Sequence, residues 1–106
     1  MAPITDQSDF VRKPLIERPM NGGQQRVYRF ANGYGASVVR GEYTYGGPVG
    51  LWELAVLRWD GESEGADYRL TYETPVTDDV IGHLDVAEVE ALLDQIEALP
   101  TPAVTP

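Results

Sequence analysis

A chain of 106 residues, 42% of them apolar, is enough for one domain with a modest core, and its formal net charge of −9 disfavours direct binding to nucleic-acid phosphates. The absence of cysteine excludes disulfides, thiolate metal sites and cysteine nucleophiles, and points away from a small secreted domain. "MAPITDQSDF" lacks the basic start and apolar run of a signal peptide, and "LAVLRW" is too short to cross a bilayer, so a cytoplasmic protein with no membrane partner is expected.

Residues 1–23 are polar, broken by Pro3, Pro14 and Pro19, and closed by "NGG". With no sustained period they read as an arm, in which "PLIERPM" can lie along a sheet with Leu15, Ile16 and Met20 tucked in. From Gln24 the pattern is that of strands. "QQRVYRF" alternates, and "ASVVRGEYTY" is rich in β-branched and aromatic residues. Asn32–Gly33 between them is a hairpin signal. Gly46, Gly47 and Pro48 make the next corner. "LWELAVLRW" is largely apolar on both faces, as a covered central strand should be. After the polar turn "DGESEGAD", "YRLTYET" supplies a fourth strand, completing an antiparallel meander.

The period then changes. Val86, Val89, Leu92, Leu93, Ile96 and Leu99 share one stripe of an α-helix. Asp85 is its N-cap, Glu88 completes a capping box, and Leu84 and Val89 form a hydrophobic staple. Glu90, Asp94, Gln95 and Glu97 face outward, and Pro100 ends the helix. The expected fold is α+β: a four-stranded antiparallel β-meander with one C-terminal amphipathic helix packed on one face. Residues 24–99 make the domain, between the arm at 1–23 and a flexible tail at 100–106.

The charge is uneven. Residues 1–40 hold six bases against three acids, a net +3, whereas residues 41–106 hold fourteen acids against Arg58 and Arg69, a net −12. The plainer reading of so acidic a segment is solubility; the sharper one is a face that docks on a basic partner.

Chemistry is sparse. "GYGASV" has two glycines of a dinucleotide fingerprint but precedes a strand, and "GGPVG" has no Lys-Ser/Thr behind it; these glycines turn corners. Asp78, Asp79 and His83, the one histidine, fall short of a metal set. Glu42, Glu53 and Glu73 lie on expected strands, and nothing in their spacing selects an acid pair. With no nucleophile beside a base, the reading is a non-enzyme without cofactor or metal. The aromatics Tyr43, Tyr45 and Trp52 exceed what one helix needs to pack. They form either an exposed anchor patch or one side of a two-sided core completed by the arm.

"FANGYGASVV", "TYGGPVGLWELAVL", "YETPVTDDVIGHL" and "VEALLDQIEAL" together resemble a family of small proteins of tailed bacteriophages and related prophages. The resemblance covers residues 28–99 and implies a phage-encoded accessory protein without an assigned activity, working in the bacterial host cell. It supplies no catalytic or binding residues. The expected function is a non-enzymatic binder of a host or phage protein, with Tyr43, Tyr45, Trp52, Glu88, Glu90, Asp94 and Glu97 as candidate contact residues. The alternatives are a self-associating homo-oligomer and, ranked lower, a nucleic-acid mimic built on the helix acids.

Overall fold

The protein is described from a computed structural model at residues 10–20, 22–42, 44, 47–61, 65–77 and 79–101. Six strands and a helix follow in chain order: β1 (Ile16–Met20), β2 (Gly23–Arg29), β3 (Tyr34–Arg40), β4 (Trp52–Trp59), β5 (Tyr68–Leu70), β6 (Ile81–Leu84) and α1 (Val86–Glu97). All pairings are antiparallel and run β1-β2-β3-β4. The far side of β4 is shared. β5 pairs with its Leu57–Trp59 end, and β6 pairs with Trp52 and Leu54 at its start.

The α+β class, the antiparallel sheet and the C-terminal helix agree with the sequence reading, but among the described residues the sheet has six strands where four were expected. β1 comes from the arm. As an edge strand with only its ends half-buried, it carries no clear alternation, and an edge tolerates Pro19, which has no N–H to donate. β6 was not among the expected strands. Its four residues hide their pairing behind a bulge: Gly82 and His83 both fall opposite the single residue Glu53. His83 absorbs the irregularity at φ 58. Two expected strands are shorter than read, since β3 stops at Arg40 and β5 at Leu70.

Alternation along the strands builds two cores. Toward α1 point Tyr28, Ala36, Val38, Trp52, Leu54 and Val56, packed with Leu84, Val89, Leu93 and Ile96. The other face holds Val27, Leu57 and Trp59, with Ile16, Ala66 and Tyr68 packed against them. No second layer covers this face among the described residues, because the sheet curls over it. On a flat sheet four inter-strand steps would part β1 from β5 by about 19 Å, yet Arg18 of β1 donates to the Tyr68 hydroxyl of β5 at 3.4 Å. Inside the curl the Trp59 indole lies across β3 and donates to the Tyr28 carbonyl. It can do so because residue 35 is glycine: a Cβ there would stand 1.9 Å from that carbonyl oxygen and 2.7 Å from the indole nitrogen.

The capping box of α1 is present as the sequence predicts, Asp85 and Glu88 each accepting from the other's backbone N–H. The other end is capped from the β2–β3 hairpin. Its loop has three residues, closed by Phe30 N–H to the Tyr34 carbonyl, with Gly33 at φ 90. This turn aims Asn32 at the helix, where its amide donates to the carbonyls of Ile96, Glu97 and Leu99. The Ile96 carbonyl also accepts the Leu99 N–H, and the amide adds a donor to carbonyls at a helix end, where intrahelical partners run out. Among the described residues no helix is long and apolar enough to cross a membrane.

Asn32→Ala is therefore expected to lower the stability measured by urea unfolding by about 1–3 kcal/mol. Asn32→Asp should lower it further, since it sets a carboxylate at the negative end of the helix dipole.

Candidate functional site

The helix spaces Glu90, Asp94 and Glu97 at i, i+4 and i+7, one above another on a single face. That face is occupied by the chain itself. Glu90 Oε1 accepts the backbone N–H groups of Val11 and Arg12, both at 3.2 Å. The Arg12 guanidinium donates to Asp94 Oδ1 at 2.6 Å and to Glu97 Oε1 at 2.8 Å, and it lies over the Phe30 ring. These carboxylates hold the guanidinium pKa above its ordinary range against the opposing effect of burial, so Arg12 stays charged at any working pH.

One residue earlier, Phe10 meets Trp52 edge-on, with centroids 5.1 Å apart. Trp52 is not part of an exposed aromatic patch. It is fully buried, because β4 points it toward α1, and Phe10 and Arg40 close over it. The structure thus takes the second of the two readings for this residue, a core completed by the arm. Its Nε1–H has no hydrogen-bond partner among the described residues, an uncommon state for a buried polar atom.

Arg26 anchors the segment from below. It is 3% exposed, donates to the Tyr28 hydroxyl, the Glu17 carboxylate and the Arg12 carbonyl, and stacks on Phe10 at 4.2 Å. Of the seven candidate contact residues, Trp52, Glu90, Asp94 and Glu97 come together under residues 10–12. Glu88 does not join them, being committed to the capping box. Tyr43 and Tyr45 lie outside the described residues.

The sequence reading missed Phe10, Arg12, Arg26 and Asn32. The +3 and −12 halves were the available signal for Arg12, since opposite charges in one small domain can neutralise each other. Nothing in the sequence pointed to Asn32 as a helix cap.

The weaker sets do not gather. Asp78 lies outside the described residues, His83 is exposed, and Asp79 accepts the N–H of its neighbour Val80. No group of three or more metal-ligating side chains forms among the described residues. Glu53 stands at the start of β4, while Glu73 lines a cleft beside Arg58 at that strand's other end.

Set against known proteins, the chain matches no family model, no curated protein and no solved structure.

Burial pushes the Tyr28 phenol above its ordinary value, and the hydrogen bond from Arg26 pulls it only partly back. A raised value favours the folded state fully below the unfolded value of about 10. The contribution is lost as pH rises through the folded value, because the unfolded chain releases a proton that the folded one retains. In an ultraviolet titration Tyr28 should ionise later than free tyrosine and together with alkaline unfolding. Tyr28→Phe should abolish that late phase while costing about 1–3 kcal/mol at neutral pH, through the donor it leaves on Arg26.

Proposed function

We propose that this chain is a small non-enzymatic binding protein, an accessory protein of the phage kind its motifs resemble. In this reading it docks on a host or phage protein through the acidic and aromatic surface that its own residues 10–12 occupy. The observation that carries the reading is the clustering of Glu90, Asp94 and Glu97 with Trp52 under Phe10 and Arg12. The segment sits there as a bound peptide would: an aromatic ring on Trp52, an 85% exposed spacer at Val11, and a guanidinium bridging two carboxylates. A partner offering an aromatic-x-Arg segment has the matching chemistry.

The salt bridges to the helix allow exchange, while the Arg12 carbonyl and the Phe10 ring on Arg26 hold the segment in place until it is displaced. Asp94 and Glu97 are 70% and 51% exposed in their bridges to Arg12, and exposed pairs contribute about 0.2–1 kcal/mol each. Lifting the segment also uncovers an apolar ring carrying an unpartnered N–H, which an incoming acceptor can satisfy. A second reading, self-association, draws on the same contacts made between two copies exchanging arms.

The test uses a synthetic peptide of residues 8–15 and calorimetry on three proteins whose folding is checked by circular dichroism: wild type, Phe10→Ala/Arg12→Ala, and Glu90→Lys/Asp94→Lys/Glu97→Lys. The unlatched double variant should bind the peptide about tenfold more tightly than wild type, and the charge-reversed variant should not bind it. Host proteins captured by the unlatched variant should be displaced by the peptide. Equal peptide binding by wild type and charge-reversed protein would sink the proposal. A dimer fraction that grows with concentration and disappears with Arg12→Ala would favour arm exchange.

A further inference from the structure

Residues 41–106 contain two bases, Arg58 and Arg69, and the pairing of β4 with β5 sets them directly opposite each other. Like charges at opposed positions weaken a ladder, and little in the structure relieves this pair. Arg69 Nε lies 3.9 Å from Asp60 Oδ1, both side chains largely in solvent. No hydrogen bond or ion pair reaches Arg58 among the described residues. The described arginines of the first forty residues are all engaged, Arg12 on the helix, Arg18 on Gln25, Arg26 at its three partners, Arg29 on the Gly61 carbonyl and Arg40 on Gln24.

Arg58 and Arg69 line a cleft of about 270 Å³ with Leu70, Thr71, Tyr72 and Glu73. Leu70 and Tyr72 are exposed large apolar residues. The Thr71 hydroxyl accepts the Glu73 N–H at 3.4 Å, which leaves its own hydrogen free to donate. The cleft lies at the opposite end of β4 from Trp52 and is separate from the arm-covered surface.

We propose that this cleft binds a carboxylate borne on an apolar group. Arg58 and Arg69 grip its two oxygens with parallel N–H donors, the geometry in which guanidinium recognises carboxylate. Thr71 adds a hydroxyl donor, and Leu70 and Tyr72 take the apolar part. Charge favours a carboxylate over phosphate: Glu73 in the lining and Asp60 beside Arg69 keep the local positive charge low, which suits a monoanion better than a dianion. The volume suits a small organic acid or the last residue of a peptide.

Backbone and arginine Nε resonances, followed by NMR, test this with phenylacetate, phenylacetamide, inorganic phosphate and a tetrapeptide ending in phenylalanine as free acid and as amide. Phenylacetate should shift Arg58, Arg69, Thr71 and Tyr72 saturably, and bind about tenfold more tightly than the amide or phosphate. Arg58→Gln and Arg69→Gln should each weaken it by about tenfold. The free-acid peptide binding more tightly than phenylacetate identifies a chain end as the ligand; the reverse identifies a free acid. Absence of a saturable shift, phosphate binding as tightly as phenylacetate, or unchanged binding in Arg58→Gln would overturn the proposal. As a control independent of ligand, Arg69→Gln should raise the Tm of the free protein by relieving the repulsion. A fall in Tm would show that the pair serves the fold, and would equally overturn it.

Discussion

A guanidinium taken out of water must be paired on every side or it destabilises the fold that buries it. Arg26 meets that condition with a phenol, a carboxylate, a main-chain carbonyl and an aromatic ring. They come from three places. Tyr28 belongs to its own strand, Glu17 to the edge strand β1, and Phe10 and the Arg12 carbonyl to the arm. One buried charge therefore ties the arm, the edge and the helix-side core together, with Glu17 neutralising it and the other partners satisfying its remaining donors and its face.

The same linkage explains what becomes of the charge asymmetry. A +3 segment beside a −12 segment invites either an external partner or self-association, but the first opposite charges each meets are within the same chain. Arg12 settles on α1 because Arg26 already holds its carbonyl, so the bridges to Asp94 and Glu97 form with little further ordering of the chain. Exposed bridges contribute modestly when both side chains must be immobilised for them; here the backbone of residues 10–12 is positioned by Arg26 and by Glu90. The acidic face is thus occupied in cis by contacts that are individually weak and collectively aligned.

The sheet obtains two cores from one layer of helix. A flat sheet with α1 on one side would expose Val27, Leu57 and Trp59. Curling brings β1 and β5 within side-chain reach, and the aromatic pair Trp59–Tyr68, with centroids 4.8 Å apart, fills the inside. The curl needs a strand position without a side chain where Trp59 crosses, and Gly35 provides it.

By itself the sequence determined the parts whose physics is local. The α1 stripe with its Asp85–Glu88 box, the hairpin at Asn32–Gly33 and the apolar β4 each follow from spacing and turn chemistry over a few residues. Tertiary structure decided everything that depends on distant segments meeting. β1 and β6 exist because a neighbour supplies their ladder, and neither carries a period of its own. Trp52 reads equally well as an exposed anchor or a core residue until Phe10, forty-two positions earlier, is seen on its edge. The helix acids read as free until Arg12 reaches them. Arg58 and Arg69 become a pair through strand register alone. Amphipathic pattern reports which face of an element is apolar, but not which remote polar group will come to lie on the other.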